Sequence, residues 1–310
     1  MSRIITVFGA TGAQGGSVVE AILNHPKLSQ LYKVRGITRD TTKPAAQALH
    51  AKGVELVQAD MNHVESLQEA LRGSYAVFAV TNYWEHEDKE LEFKHGKNIT
   101  DASVAEKVHH LIWSSLPHVT KLTNGALQHV SHFDSKANVE EYIRSIPTSS
   151  LPVSTFFMPA FYMSNIKSMT FPGQDGTKNF AQPWQATETH VALLDTKKDT
   201  GNYVAGILLA PESTVQHLSV QGVSEWRTPQ EIVDTITTVT GSKVNFVEVT
   251  REQGFQAMGA NKKAEELIEN MLLVRDYSYY GKGSEKETAK SQALLPEKPT
   301  TWADFVKASW

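Results

Sequence analysis

Short apolar runs alternate with amphipathic helical segments through the first half of the chain. The runs predict strands at 3–8, 33–38, 54–58, 75–80, 109–114 and 152–157. The segments between them have helical periodicity at about 14–24, 43–52, 63–72, 88–107 and 132–145. Strands that alternate with helices form βαβ units, and right-handed crossovers then produce a parallel sheet covered on both faces. We therefore predict an α/β fold with a doubly wound parallel sheet.

The second half of the chain is less regular. Residues 160–190 are rich in aromatic residues, Met, Pro and Gly, which predicts an irregular segment that forms a pocket wall or lid. Helical turns resume near 200–210, a strand follows at 216–221, and residues 277–300 are polar and predict a loop before a last helix at 301–309. We divide the chain into residues 1–158, the sheet domain, and 159–310, a smaller α+β lobe. The lobe is predicted to be interleaved with the sheet, to which the chain returns near 190–222.

Composition excludes several classes of protein. The 310 residues carry a net charge of −4, so no basic field predicts direct binding of nucleic acid. The chain has no cysteine, which excludes disulfides, thiol catalysis and thiolate metal sites, and its histidines lack metal-ligand spacing, so we predict no metal. The chain enters a strand directly, and no apolar run approaches the ~18 residues of a membrane span. These features predict a soluble protein of the cytoplasm, without membrane contact.

A glycine motif follows the first predicted strand and opens the first predicted helix. It reads Gly9-x-x-Gly12-x-x-Gly15. In this context the first glycine makes a tight turn, the second lets backbone amides approach a pyrophosphate, and the third lets helix and strand pack closely. The helix N-terminus adds a partial positive charge. The motif predicts a dinucleotide pyrophosphate site made of Gly9, Ala10, Thr11, Gly12, Ala13, Gln14 and Gly15.

The end of the second strand indicates which dinucleotide binds. An acidic residue there would bind a ribose 2′-hydroxyl, whereas an arginine accepts a 2′-phosphate. Here Arg39 ends the strand and Lys43 lies at the next helix, so we predict NADP(H); the alternative is that Arg39 only caps a surface strand. Asp60 and Met61 follow the third strand, where they can flank an adenine. Asp60 could equally cap the helix that begins at residue 63.

With these residues placed, the chain resembles the NmrA-like family, an atypical branch of the short-chain dehydrogenase/reductase superfamily, over nearly its whole length. Its closest resemblance is to the NADPH-sensing redox sensor proteins with an NmrA-like domain. The resemblance rests on the glycine motif, Thr38-Arg39, Gln58-Ala-Asp60, Val80-Thr81-Asn82-Tyr83-Trp84-Glu85, His132-Phe-Asp-Ser-Lys136 through Tyr142, and Pro159-x-Phe161-Tyr162. It implies a Rossmann domain, preferential binding of NADP(H), and a smaller C-terminal lobe that closes on it.

The resemblance also implies roles for individual residues and a biological setting. Beyond the residues already named, it implies that Thr81, Asn82 and Tyr83 meet the nicotinamide half of the cofactor. The site would be completed by Lys94, Lys136, Phe161, Tyr162 and Asn165. A sensor of this kind would bind NADPH and a regulatory protein partner, as a monomer or homodimer, in the cytoplasm or also in the nucleus.

An active site can be sought where the parent superfamily carries Ser, Tyr and Lys. Lys136 stands in the position of the lysine, Ser114 or Ser115 in that of the serine, and His132 in that of the tyrosine. Either His132 is a substitute acid, which is possible because imidazole titrates near neutrality, or catalysis is lost and Lys136 only binds the cofactor ribose. The two hypotheses are an NADPH sensor and an NADPH-dependent reductase of an enone, quinone or imine.

Two glutamates on the same predicted helix need a separate interpretation. Glu140 and Glu141 are adjacent, and neighbours on a helix point about 100° apart, so they do not converge as a catalytic pair. We interpret them as part of a solvated face.

Overall fold

The computed structural model describes residues 2–173 and 176–310; residues 174 and 175 of the predicted lid segment lie outside this range. The strands are β1 (Arg3–Val7), β2 (Tyr32–Thr38), β3 (Glu55–Gln58), β4 (Ser74–Ala79), β5 (His110–Ser114), β6 (Val153–Pro159), β7 (Phe161–Tyr162), β8 (Thr170–Pro172), β9 (Lys178–Gln182), β10 (Val191–Leu194), β11 (Ser219–Gly222), β12 (Glu225–Arg227) and β13 (Val244–Glu248).

The helices cover both faces of the large sheet and build the rest of the C-terminal half. They are α1 (Ala13–Asn24), α2 (Leu28–Leu31), α3 (Pro44–Ala51), α4 (Val64–Leu71), α5 (Lys89–Ala105), α6 (Val119–Leu122), α7 (Ser131–Ser145), α8 (Met163–Ser168), α9 (Asp199–Leu209), α10 (Glu212–Val215), α11 (Pro229–Thr240), α12 (Arg251–Ala257), α13 (Lys262–Leu272), α14 (Glu285–Gln292) and α15 (Trp302–Ser309). A 3-10 turn covers Tyr83–Glu85, and a π-helical turn, Leu273–Tyr277, continues α13. None of the described helices has an apolar stretch long enough to cross a membrane.

Seven parallel strands form the main sheet in the order β11-β6-β5-β4-β1-β2-β3. The order reverses between β1 and β4, so the helices after β1 and β4 leave toward opposite faces. A crevice opens at such a reversal, beyond the C-terminal ends of the strands. The predicted doubly wound α/β fold is confirmed, and β1 to β6 correspond to the six predicted strands.

Burial on both faces explains why the strands have continuous apolar sequences. In β4, Ala76 and Phe78 pack into one cluster and Val77 and Ala79 into the other, and all four are fully buried. A parallel sheet covered by helices on both sides has this pattern because neither face meets water.

The C-terminal lobe is interleaved with the sheet. After β6 the chain leaves the sheet and begins two small sheets, with strand orders β12-β10-β7 and β13-β9-β8, whose strands β12 and β13 are added only after β11. It returns as β11, which pairs with β6 in parallel register from Ser219 opposite Phe156. The predicted interleaving is confirmed, and the division at residue 158 stays our proposal.

The segment 160–190 differs from the prediction of an irregular lid. It contains β7, α8, β8 and β9, and the side chains of Phe161, Phe180 and Trp184 are buried, whereas Phe171 is exposed. The ring of Trp184 lies edge-on to Phe161 and Phe180, with ring centroids 5.7 and 5.9 Å apart. These rings belong to the same hydrophobic cluster as Ile5 and Val7 of β1, so the core of the lobe is continuous with one face of the main sheet.

The segment 277–300 was predicted as a loop, and that prediction is wrong because it contains α14. The helix is polar, and tertiary contacts stabilise it. Thr288 donates to the side chain of Gln221 at 2.6 Å, and the Gln221 amide donates to Ser291 at 3.0 Å. A helix that rests on polar contacts to a strand lacks the apolar stripe by which helices are recognised in sequence.

Candidate functional site: a dinucleotide cleft

A cleft of about 500 Å³ lies at the C-terminal ends of β1, β2 and β4. This volume is within the usual range for a small-molecule site. The sequence-predicted residues on its wall are Gly9, Thr11, Gly12, Ala13, Gln14, Gly15, Arg39, Lys43, Asp60, Met61, Thr81, Asn82 and Tyr162. The fold therefore brings the predicted pyrophosphate, 2′-phosphate and adenine residues to one surface.

The glycine turn forms the floor of the cleft. Gly9 has a φ of +61°, and its carbonyl accepts from the Gly12 amide at 2.8 Å. Gly12 is the N-cap of α1 and contributes no capping side chain, so the first amides of the helix remain for a ligand. A Cβ atom on Gly15 would lie 2.2 Å from the Gly9 carbonyl oxygen, which is the close approach predicted for the third glycine. Ala10 is buried beneath the turn and is not on the wall.

Arg39 faces the cleft rather than capping its own strand. Its guanidinium forms an ion pair with Glu85, which follows β4 and also lines the cleft. Lys43 lies on the same wall at the start of α3. Two cations therefore line the cleft beyond the end of β2, and one of them is paired with a carboxylate.

Asp60 stays on the cleft wall, but it is also tied into its own loop. Its carboxylate accepts from the Asn62 amide at 2.9 Å and lies 3.2 Å from the His63 ring. The Asn62 amide is the main reason that the pKa of Asp60 is lower than usual. Asp60 does not cap α4, whose N-cap is His63. The capping interpretation is therefore wrong, and the prediction that Asp60 flanks an adenine stays a prediction for a residue on the cleft wall.

His95, rather than Lys94, reaches the wall from α5. Lys94 is exposed and lies off the cleft, whereas the His95 ring contacts the Asn62 side chain at 3.0 Å. Successive helical residues point about 100° apart, so only one of the two can face inward. The sequence prediction also lacked Glu85 and His86, which line the cleft together with His95. Glu85 and His86 could have been suspected from their position just past the fourth strand, and Glu85 also belongs to the motif that carries the family resemblance.

A chain of hydrogen bonds crosses the inner end of the cleft. Ser114 donates to the Gln14 side-chain oxygen at 2.8 Å, and the Gln14 amide donates to the Tyr162 hydroxyl at 2.8 Å. Burial raises the pKa of Tyr162. Phe161 packs behind it against Trp184 and, like Asn165, is not on the wall. Ser114 thus positions a wall residue instead of facing the cleft itself.

Ser115, the alternative serine, is committed elsewhere. It donates to Glu140 at 2.5 Å, and Arg144 donates to the same carboxylate at 2.7 Å. Glu140 is buried, so the interpretation of a solvated face is wrong for it. It holds for Glu141, which is exposed and forms an ion pair with Lys121.

Lys136 lies in a buried polar cluster next to the cleft. Its ammonium donates to the Thr81 hydroxyl at 2.9 Å and to the Thr81 carbonyl at 3.2 Å, and it forms an ion pair with Glu92. Glu92 is 3% exposed and also accepts from Thr81 and Ser135. The ammonium is therefore neutralised inside the protein. Sequence reasoning missed Glu92, because a single glutamate in a charged helix carries no signal.

His132 is held by a second buried carboxylate. Its backbone amide and ring Nδ1 contact one oxygen of Glu266, at 2.8 and 2.6 Å. Tyr83 donates to the other oxygen at 2.8 Å, and burial raises its pKa. Tyr83 is buried and does not lie on the cleft wall, contrary to its predicted place at the nicotinamide. The ring of His132 is thus engaged in a contact between α7 and α13.

The neighbouring turn repeats this arrangement. Glu269 accepts from the amides of Gln128 and His129 at 2.8 and 2.7 Å, and the His129 ring lies 2.7 Å from it. Ligand atoms of His129, Glu265 and Glu269 lie within 4.8 Å of one another, a spacing that could hold a metal ion. However, the Glu269 oxygens already accept hydrogen bonds, and Glu265 forms an ion pair with Arg251. Carboxylates next to a helix N-terminus are stabilised by its partial positive charge. We call the contacts of Glu266 and Glu269 with residues 128–132 the α13 clamp.

Glu266→Gln should destabilise the protein by about 3 kcal/mol at pH 7, because it breaks a buried charged contact. Burial alone would raise the pKa of Glu266, but hydrogen bonds from His132 and Tyr83 bring it below its usual value. A carboxyl whose pKa is lowered by folding stabilises the folded state at any pH above the ordinary pKa of glutamate. This stabilisation is lost as the pH falls through the lowered pKa of the folded protein. The difference between wild type and variant, measured by urea unfolding, should therefore shrink below about pH 4.

Glu265→Gln is the matched control for the α13 clamp. Glu265 is the preceding residue, and its ion pair with Arg251 is more exposed, so its loss should cost less than about 1 kcal/mol. An equal loss of stability in Glu265→Gln and Glu266→Gln would contradict this prediction. It would mean that the negative charge of α13, rather than the contact of Glu266 with His132, stabilises the protein.

The parallel sheet, glycine turn and cleft define a protein of the Rossmann type. The sequence match extends along the chain: the family model of the NmrA-like family matches residues 1–306. The chain belongs to the NmrA-like family. A similar curated protein is the NmrA-like family domain-containing oxidoreductase ptmS of Penicillium ochrochloron. It is 33% identical over 263 residues, which are 80% of this chain and 76% of that protein.

Solved structures share the fold at lower sequence identity. NmrA, a negative transcriptional regulator solved in complex with NADP, has a TM-score of 0.81 and 19% identity over 99% of this chain and 95% of its own. The same regulator has been solved with NAD. The triphenylmethane reductase of Citrobacter sp. in complex with NADP(H) has a TM-score of 0.75 and 19% identity over 99% of this chain and 100% of its own. A regulator and a reductase thus share this architecture.

Proposed function

We propose that this chain is an NADP(H)-binding redox sensor whose conformation and partner binding respond to NADPH. The main support is the contrast between the two parts of the site. The residues predicted to bind a dinucleotide line one cleft. In contrast, the two candidate catalytic residues form ion pairs with buried carboxylates, Lys136 with Glu92 and His132 with Glu266. His132 also lies off the cleft wall, so a general acid at this position would not meet a substrate bound in the cleft.

NADP(H), rather than NAD(H), is the proposed ligand because Arg39 and Lys43 line the cleft at the end of β2. The amides at the start of α1 would hold the pyrophosphate, and Asp60 and Met61 would flank the adenine. The proposal also assigns the nicotinamide ribose to Thr81 and Lys136, which requires the ammonium to share its contacts with the cofactor. Similarity to structures solved with NADP and NAD supports this class of ligand.

Arg39→Ala should weaken NADPH binding by about 30-fold, on the order of 2 kcal/mol, because a charge-assisted contact to the 2′-phosphate is lost. Affinity for NADH should change by less than a factor of about three, since it has no 2′-phosphate. Isothermal titration of both cofactors with wild type and variant measures the difference. Equal wild-type affinities for NADPH and NADH would contradict the assignment.

A conformational response can pass through residues 82–87, which we call the coupling segment. Glu85 faces the cleft, Tyr83 donates to Glu266 of α13, and Glu87 forms an ion pair with Lys263 of the same helix. A ligand that moves Glu85 therefore acts on α13. The exposed ring of Trp84 lies beside Lys263, so this area is the proposed partner surface for a regulatory protein.

Hydrogen exchange with and without NADPH tests the sensor. We expect slower exchange in residues 82–87 and 262–272 when NADPH binds, and a smaller change with NADH at equal saturation. Unchanged exchange in both regions would contradict the coupling. The proposed location, cytoplasm or nucleus, and the proposed monomer or homodimer are separate questions for fractionation and light scattering.

A reductase is the second candidate, and one feature of the cleft favours it. The Tyr162 hydroxyl lies on the wall, accepts from Gln14 and offers a phenol proton to a bound enone, quinone or imine. Several relatives are named oxidoreductases. A screen for NADPH oxidation with these acceptors separates the candidates, since steady turnover would make the reductase the leading proposal.

A further inference from the structure

We propose that Glu85 is a cofactor-specificity residue, whose carboxylate pairs with Arg39 in the free protein and competes with the 2′-phosphate of NADP(H). This inference rests on the proposed binding of NADP(H). It assigns to one carboxylate the task of setting how strongly the protein prefers the phosphorylated cofactor over NAD(H).

The position of the ion pair is the first argument. Arg39 follows β2 and Glu85 follows the strand β4, and these two strands lie on either side of β1 in the sheet. The glycine turn follows β1 and forms the floor between them. The ion pair therefore joins the two sides of the cleft, on the surface that a dinucleotide would occupy.

The exposure of the ion pair is the second argument. The Arg39 side chain is 73% exposed and that of Glu85 31%, and an ion pair in water is weak. A phosphate group carries more charge than a carboxylate and can accept two parallel hydrogen bonds from a guanidinium. The Arg39 guanidinium can thus leave Glu85 and bind the 2′-phosphate instead. Lys43 on the same wall provides a second cation for the phosphate.

The tethering of Glu85 is the third argument. The turn that carries it is held mainly by the buried side chain of Tyr83, which donates to Glu266, and the exposed ion pair of Glu87 with Lys263 adds little. The Glu85 carboxylate consequently stays within reach of Arg39, where it competes with a phosphate for the guanidinium. The ribose of NAD(H) has a hydroxyl at this position, which can donate a hydrogen bond to a carboxylate. Glu85 therefore weakens the binding of NADP(H) but not the binding of NAD(H).

Cofactor titrations of wild type and Glu85→Gln test the proposal. The probes are NADPH, NADH and adenosine 2′,5′-bisphosphate, which carries the 2′-phosphate without the nicotinamide. The variant should bind NADPH and the bisphosphate about three- to tenfold more tightly, with NADH unchanged or weaker. The gain should shrink in 0.5 M salt, because exposed charges are screened. Glu90→Gln removes the same charge from an exposed residue off the cleft wall and should change nothing.

The same change in an Arg39→Ala background shows whether the effect passes through Arg39. We expect most of the gain to vanish there, because no guanidinium remains for Glu85 to occupy. An equal gain in both backgrounds, or no gain with Arg39 present, would overturn the proposal. Failure of wild-type protein to bind NADPH would instead overturn the proposed function, so the two failures are distinct.

Discussion

Replacing Glu92 with alanine should destabilise the protein by about 3–5 kcal/mol, the usual result of leaving a buried charge without its partner. Glu92 is 3% exposed and is the carboxylate that neutralises the buried Lys136 ammonium. Its loss also strands the hydroxyls of Thr81 and Ser135, which donate to it. Urea unfolding of wild type and variant at pH 7 measures the difference.

The double variant Glu92→Leu/Lys136→Met is the control for this prediction. It removes both charges and keeps a similar volume, so much of the lost stability should return. A Glu92→Ala variant within about 1 kcal/mol of wild type would show that water reaches the ammonium. The cluster would then be open enough for Lys136 to serve a ligand without cost.

The second large effect is expected for Gly15→Ala. A Cβ at this position would lie 2.2 Å from the Gly9 carbonyl oxygen and 2.6 Å from that of Phe8. Both atoms belong to the backbone and cannot rotate away, so α1 has to move from the end of β1. We expect a loss of about 3 kcal/mol in stability and roughly tenfold or weaker NADPH binding, since the amides of α1 leave the pyrophosphate position.

Gly16→Ala is the matched control, one residue further along the same helix. Its Cβ would lie 3.4 Å from the nearest atom, the Ala10 carbonyl oxygen, which is ordinary contact. Alanine is the better helix former by about 0.5–1 kcal/mol, so this variant should be as stable as wild type or more so. Equal damage from both substitutions would contradict the packing argument and indicate a general intolerance of α1.

Local rules were sufficient for the sheet domain because its elements depend on neighbours in sequence. The apolar run of β4 is buried on both faces, and the glycine turn needs a positive φ at Gly9 and close packing at Gly15. Such requirements limit the residue types at each position. The same rules failed for α14 and for the segment 160–190, where contacts with the rest of the lobe decide the conformation.

The candidate site divides in the same way. Arg39, Asp60 and the glycine turn could be placed because each follows a strand whose C-terminal end borders the crevice. The fixed order of a βαβ unit makes this edge predictable. Tyr83 and Lys94 could not be oriented, because the direction of a side chain on a turn or helix depends on what packs against it.

By itself, the sequence determined the order of strands and helices in the sheet domain, the glycine turn and the cations that follow β2. It did so because hydrophobic periodicity and backbone conformation are local properties. Only the tertiary structure decided which carboxylates meet which cations. Glu92 lies 44 residues from Lys136, Glu266 lies 134 residues from His132, and Glu85 lies 46 residues from Arg39. Ion pairs between distant segments form only when packing brings those segments together, so a local sequence pattern cannot predict them.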